Sequence, residues 1–451
     1  MKHREEYANK KVGAEEAAKV IKSGDWVDYG HFACSPTYMD KYLALRVDEL
    51  DNVKVRAVTF PGLAAVATAD PTRGKFHYNN WHFGGGDRIL HDKGLCNYIP
   101  LLYHEGPSLY DLVDSDVFMV KVAPMNAKGY FNFGPSNSIS KSIADHTKTV
   151  IVEVNDRVPY CCGGLNESIH ISEVDFIVES DNKPLISVPL PAISEVDEKI
   201  ASIIVNELVD GACIQLGIGA MPNAVGMLIA KSDLKDLGVH TEMLVDSFVD
   251  MYEAGRVTNR KKGVDAGKMV YTFALGSQKL YDFLDHNPCC ASYSVDYTNK
   301  PERIASNDNM MAINNAVEVD LYGQVSSEST GMRQISGTGG QFDYIYGAYH
   351  SKGGKSFICL SSTKKDKHGN LKSRIRPFLE PGSIVTIPRT ISHYIVTEYG
   401  TAIMKGRSTW ERAEALINIA HPDFREELIQ DAEKMGIWRR SNKKDASKLA
   451  A

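Results

Sequence analysis

Apolar positions along the chain keep two rhythms: a helix-like spacing near 3.6 residues, and short unbroken runs. The helical rhythm of EEAAKVIKSGDW (from Glu15) stops at Gly24 and gives way to a brief apolar run ending at Gly30 and His31. The runs VKVRAVTF (Val53–Phe60), SDVFMVKVAPM (Ser115–Met125) and TVIVEVND (Thr149–Asp156) are short and β-branched. They predict strands buried on both faces, hence a parallel sheet covered by helices. Between them GYFNFGPSNS (Gly129–Ser138) reads as a loop and SISKSIADHTK as a helix. Near residues 180–195 the text brings three prolines, Pro184, Pro189 and Pro191, before a new helix opens at Ser194. A boundary there gives two domains, 1–187 and 188–451. The grammar then restarts with helix EKIASIIVNELV, strand ACIQLGIG, helix NAVGMLIAKS and strand VHTEMLVD. The expected fold class is α/β: two structurally related open domains with mainly parallel sheets flanked by helices. The tail, WRRSNKKDASKLAA, loses its apolar period and is expected to fray.

Composition narrows the classes of function. Lys+Arg 51 against Asp+Glu 57 leaves a net charge of -6, which provides no attraction for a nucleic acid. No run of 18 apolar residues occurs, and the charged opening MKHREEYANKK does not fit a signal peptide. No membrane partner and a cytoplasmic location are the expectations. The 8 cysteines form no CxxC and no zinc-type cluster, so reduced structural thiols and no metal site are expected.

Three segments carry candidate chemistry. Gln215–Asn223, QLGIGAMPN, joins an apolar strand to a helix and can aim backbone N–H groups at an anion, but it lacks the third glycine of a dinucleotide fingerprint. A tight turn needing glycine is the more ordinary account of it. Glu242 stands inside the apolar run GVHTEMLVD, where an ionised carboxylate costs several kcal/mol without partners. It signals an ion pair, a sheet edge or a catalytic position. In SGTGGQFD (Ser336–Asp343), three glycines in four positions permit close backbone approach, suiting an oxyanion nest or a bulged turn. Gly84–Gly86 and the Gly353–Lys355 segment read as loops, and the basic run Arg256, Arg260, Lys261, Lys262 as a solvated face or a phosphate contact.

Six segments together, GYFNFGPSNS, HISEVDFIVES, QLGIGAMPNAV, GVHTEMLVD, AINNAVEVDLYGQV and SGTGGQFD, resemble the acetyl-CoA hydrolase/transferase branch of the class I coenzyme A transferases nearly end to end. Within the branch, the opening REEYANKKVGAEEAAKVIKSGDWVDYG is most similar to the butyryl-CoA:acetate and 4-hydroxybutyrate groups. The resemblance implies that Glu242 carries CoA as a glutamyl thioester. It implies CoA contacts from Ile218, Gly219, Ala220, Met221, Pro222 and Asn314. Gly337, or Gly339 or Gly340 in its place, would border the thioester, Lys355 would meet the phosphates, and Gly134 and Pro135 would face the cleft. No tightly bound cofactor is implied, with acyl-CoA and short-chain carboxylates as substrates and a homodimer or higher homo-oligomer as the assembly.

The implied chemistry suits a carboxylate. Acyl-CoA plus Glu242 gives a mixed anhydride that the released thiolate can recapture, and ping-pong kinetics follow. Rival readings are an acyl-CoA hydrolase on the same scaffold, a nucleotide-dependent dehydrogenase resting on Gly217 and Gly219, and a metabolite sensor without turnover.

Overall fold

Each apolar run in the first half becomes a strand of one seven-stranded, wholly parallel sheet. The computed structural model describes residues 2–189 and 192–438, so the expected fraying from residue 439 onward lies outside the described residues. The strands are β1 (Trp26–Tyr29), β2 (Val53–Ala57), β3 (Phe76–Asn80), β4 (Asn97–Tyr98), β5 (Val117–Val122), β6 (Thr149–Val154) and β7 (Phe176–Glu179). Their order is β7-β6-β5-β1-β2-β3-β4. All six residues of β5 are buried, as a strand covered on both faces requires.

A second sheet runs β9-β8-β10-β11-β12-β13, from β8 (Cys213–Leu216), β9 (Gly238–Val239), β10 (Met310–Asn315), β11 (Lys355–Cys359), β12 (Tyr394–Thr397) and β13 (Gly400–Ile403). Only the β12–β13 hairpin is antiparallel. The α/β class with mainly parallel sheets flanked by helices is therefore the observed one. Among the described residues no helix or strand lies between Glu179 and Glu195, and no helix is long and apolar enough to cross a membrane.

In both sheets the chain reverses direction across the order, between β1 and β5 and between β8 and β10. Such switch points open crevices at the carboxyl ends of the strands. The halves are also joined directly. Gly163–Leu165 pairs with Cys290–Tyr293, and Phe32 stacks on Phe273 with centroids 3.6 Å apart.

Two local expectations are corrected. GYFNFGPSNS is not all loop: Tyr130–Asn132 pairs antiparallel with Ser168–His170. VHTEMLVD is not one strand either. It leaves the second sheet after Val239 and re-forms as Met243–Leu244 beside Phe273–Ala274, because the Glu242 carbonyl accepts both the Thr272 and Phe273 N–H groups. Glu242 therefore sits on a bend between two short strands rather than within a ladder.

Candidate active site

Carboxyl ends of strands from both sheets meet across a cleft of about 590 Å³. From the second sheet come Gly217 and Ile218 after β8 and Asn314 and Asn315 ending β10, with Glu242 on the bend that follows β9; from the first come Phe32, Thr59 and His82, following β1, β2 and β3. Ile218 is 56% exposed at the loop tip, an apolar side chain left for a ligand to cover. Gln215 and Asn314 hold one another by their amides, Asn314 Nδ2 donating to Gln215 Oε1 at 3.0 Å. This fixes the two strand ends at the switch point.

Glu242 is the carboxylate of this cleft. Its Oε2 accepts from Asn299 Nδ2 at 2.6 Å, and the Gly340 N–H faces the carboxylate and opposes the rise of its pKa. Although the carboxylate faces the opening, protein encloses its other sides. Burial, reinforced by the Asp343 charge, pushes its pKa up to about 8 against the two donors that oppose the shift. Asn299 Nδ2 also reaches Asp343 Oδ2 at 3.3 Å, and Asp343 Oδ1 accepts from His104 Nδ1 at 2.7 Å.

The Ser336–Gly340 loop wraps this carboxylate. Gly340 is closest: a Cβ there would lie 1.9 Å from Glu242 Oε2. Gly339 takes φ 52°, a left-handed conformation that favours glycine, and Gly337 abuts the Trp81 carbonyl. Of the three candidate glycines, Gly340 is the one whose backbone meets the carboxylate. The loop is held from the first half by Arg88 Nη1 on the Ile335 carbonyl at 2.9 Å, by His82 Nε2 against Ser336 Oγ at 3.0 Å, and by the Tyr98 hydroxyl. Burial and the Arg88 charge hold the His82 pKa down at about 4, so its imidazole is neutral at physiological pH.

A small cavity of about 30 Å³ opens off the cleft at Glu242, walled by Phe32, Val58, Trp81, Leu101, Tyr103 and Phe273. That is room for roughly two or three water-sized groups. Its lining contains no lysine or arginine.

A second hollow of about 500 Å³ lies beyond the glycine loop, at the start of helix α1 (Ala220–Lys231). Ala220, Met221, Lys364, Lys365 and Arg374 line it together with Asn315, which it shares with the main cleft. The Arg374 Nε is buried without a partner. The start of α1, two lysines and Arg374 meet there with the carboxylates of Asp197 and Glu398, and Lys364 also stands 4.0 Å from Glu380.

The structure thus gathers Glu242, Ile218, Asn314, Gly337, Gly339 and Gly340 at the cleft, and Ala220 and Met221 at the hollow. Gly219 turns between them with φ 124°, and Pro222 is buried in the first turn of α1. Three expectations are not met. Lys355 opens β11, at the edge of the sheet opposite the glycine loop, and pairs with Glu207 at 2.6 Å. Gly134 and Pro135 do not line the cleft. Gly134 turns with φ 55° against Val158, and the Pro135 carbonyl accepts from Ala274, splicing the halves. In the basic run, Arg260 and Lys261 are exposed as a solvated face requires, and Lys262 alone departs, buried with its ammonium on the Val239 and Lys268 carbonyls. Asn299, His104, Lys364 and Arg374 had no sequence signal of their own.

Comparison with known proteins agrees on one family. The model of the acetyl-CoA hydrolase/transferase N-terminal domain matches residues 1–189, and that of the C-terminal domain residues 276–432. A butyryl-CoA:acetate CoA-transferase of Anaerostipes caccae is 53% identical over 446 residues, covering 98% of this chain and 100% of that protein. A 4-hydroxybutyrate coenzyme A transferase of Clostridium kluyveri is 40% identical, covering 96% of this chain and 100% of its own. The crystal structure of RipA from Yersinia pestis superposes with TM-score 0.88 at 38% identity, covering 97% of this chain and 100% of that one.

Proposed function

The chain belongs to the acetyl-CoA hydrolase/transferase family, and from that premise we propose that it moves CoA between short-chain monocarboxylates through a thioester on Glu242, with butyryl-CoA and acetate as the leading pair. The observation that carries this reading is the Glu242 carboxylate, held by Asn299 Nδ2 and the Gly340 N–H at the mouth of an apolar cavity.

In the first step the ionised Glu242 attacks the acyl carbonyl and CoA leaves as thiolate, giving an acyl-glutamyl anhydride. The thiolate then attacks the glutamyl carbonyl and expels the carboxylate product. An acceptor acid reverses both steps. Each addition places negative charge on an oxygen, and a fixed donor there is worth roughly 10²- to 10³-fold in rate. Asn299 Nδ2, already on Glu242 Oε2, fits the oxyanion formed on the glutamyl side. The acyl chain enters the cavity beside Phe32, Trp81 and Phe273, where the absence of a lining cation disfavours a dicarboxylate. The limited volume favours a tail of about three carbons over longer ones.

The nucleotide end of CoA belongs in the hollow with Lys364, Lys365 and Arg374, remote from the reacting carbon. Binding energy gained there can be used to drive anhydride formation. Lys364→Ala is expected to raise KM for acyl-CoA roughly 5- to 30-fold, and to leave turnover of an acyl-pantetheine, which lacks nucleotide phosphates, unchanged. Equal losses on both substrates would remove Lys364 from this role.

The pH dependence follows from the same carboxylate. Only ionised Glu242 attacks, and its pKa stands at about 8. kcat/KM for acyl-CoA is therefore expected to fall about tenfold per unit below pH 8 and to level off above it. A flat profile from pH 6 to 9 would mean that the resting carboxylate is already ionised.

The deciding experiment incubates the protein with butyryl-CoA and no acceptor, reduces with borohydride, and maps the peptides by mass spectrometry. Modification confined to the Glu242 peptide supports the thioester. Acetate-independent loss of butyryl-CoA with no modification would favour the hydrolase instead.

A further inference from the structure

Behind Glu242 stands a second buried carboxylate that the transfer chemistry does not consume. Asp343, fully buried in the first turn of helix α2 (Gln341–His350), follows directly on the glycine loop. Its Oδ2 accepts from Asn299 Nδ2 at 3.3 Å, and Oδ1 from His104 Nδ1 at 2.7 Å; the His104 backbone N–H reaches Oδ2 at 3.3 Å. Asn299 is fully buried as well, and its Oδ1 has no hydrogen-bond partner.

That orphaned oxygen is the informative detail. A carboxamide has nearly the same shape after a half-turn that exchanges its oxygen and nitrogen. Since nothing engages Oδ1, the orientation of Asn299 is set wholly by the two carboxylates that accept from Nδ2. One of them, Glu242, loses its charge whenever it becomes an anhydride or a thioester. During those steps Asp343 is the one carboxyl acceptor left to Asn299. A flip at that stage would turn a carbonyl oxygen toward the developing oxyanion and repel it.

We infer that Asp343, seated by His104, is a positioning residue that locks the Asn299 carboxamide with its N–H toward Glu242 throughout the catalytic cycle. The inference rests on the reading of Glu242 as the nucleophile. His104 belongs to the Tyr103–Glu105 turn of the first half, so the lock also spans the two halves next to Tyr103 of the acyl cavity. A purely structural alternative exists, in which the pair only pins that turn to the helix. The two differ in kinetics. A lock acts on the chemical steps, whereas a pin acts on stability and on binding through cleft shape.

Asp343→Asn removes the charge and one of the two acceptor oxygens, leaving a single amide oxygen to hold Asn299 where a carboxylate held both Asn299 and His104. It is expected to lower kcat roughly 10- to 100-fold, with KM for butyryl-CoA within about twofold, and to slow modification of the Glu242 peptide to the same extent in a single turnover. His104→Ala, at a half-buried site where folding is retained, is expected to lower kcat roughly 3- to 10-fold. His104→Asn, whose amide nitrogen can occupy the Nδ1 position, should recover most of that loss. If the wild-type protein never labels Glu242, the nucleophile assignment fails. If the wild type labels and folded Asp343→Asn labels equally fast, the lock fails while the nucleophile stands. Should Asp343→Asn not fold, the histidine pair decides: loss in Ala with recovery in Asn supports the lock, and equal kcat in both, or a change in KM alone, overturns it.

Discussion

Glu242→Gln is expected to abolish transfer, by at least about 10⁴-fold, and at the same time to make the protein more stable. Glutamine keeps the shape of the side chain and keeps a carbonyl oxygen for Asn299 Nδ2 and the Gly340 N–H, so the local hydrogen bonds persist. What it removes is the nucleophile and the charge. The stability effect follows from linkage. In the unfolded chain this carboxyl releases its proton near 4.5, whereas in the fold it holds the proton up to about 8. Below pH 4.5 both states are protonated and ionisation contributes no penalty. Between the two values folding must take up a proton, and the penalty grows with pH; above about 8 it is constant. At pH 7 it amounts to roughly 2–3 kcal/mol, after allowance for the open side of the cleft, while at pH 5 it is under about 1 kcal/mol. Denaturant unfolding of both proteins at pH 5 and pH 7.5 tests this directly. The variant should gain on the wild type as pH rises. A variant less stable than wild type, or a difference independent of pH, would mean that the fold accommodates the ionised carboxylate at no cost. Such an exchange of stability for function is common where a charge is held in a site that excludes water.

How much of this was readable beforehand depended on where each residue lies relative to a strand. The runs at Val117 and Thr149 declared buried parallel strands because β-branched residues filled both faces, and the sheets formed there. Glu242 and the loop at Ser336 were readable because a carboxylate in an apolar run and clustered glycines are unusual enough to need a reason. Asn299 was not readable: it lies 57 residues from Glu242, in a segment with no apolar rhythm, and only the tertiary fold brings the two side chains together. The lysine was misplaced for an instructive reason. Lys355 begins β11 and Lys364 follows it, and in a parallel sheet the crevice forms at the carboxyl ends. A cation at the start of a strand faces the wrong edge, whatever glycines precede it. Gly134 and Pro135 were misread because glycine and proline mark a sharp turn whether it borders a ligand or, as here, carries a splice between halves.

Gly340→Ala tests the same carboxylate by volume alone. The backbone at Gly340 has φ −94° and ψ 10°, values open to alanine, so the substitution introduces no conformational strain. Its whole effect must come from the added Cβ. That atom would fall 1.9 Å from Glu242 Oε2, 2.3 Å from Asn299 Nδ2 and 2.9 Å from Glu242 Cδ. None of these separations can persist, and the softest response is rotation of the Glu242 side chain away from Asn299 toward the cleft. The nucleophile then loses both donors and its angle to the acyl carbonyl. kcat/KM is expected to fall roughly 10²- to 10³-fold, the scale of one lost oxyanion donor plus misplacement. CoA affinity and unfolding midpoint should stay close to wild type, because the hollow at Lys364 and both sheets are untouched. Gly339→Ala provides the contrast. Its φ of 52° is unfavourable for alanine while its Cβ stays 3.7 Å from Glu242 Oε1, so stability should suffer before chemistry does. If Gly340→Ala kept wild-type turnover, the carboxylate could not be working from the position between Asn299 and the loop. If both variants lost stability alone, the loop would be serving as a structural turn rather than as a wall of the site.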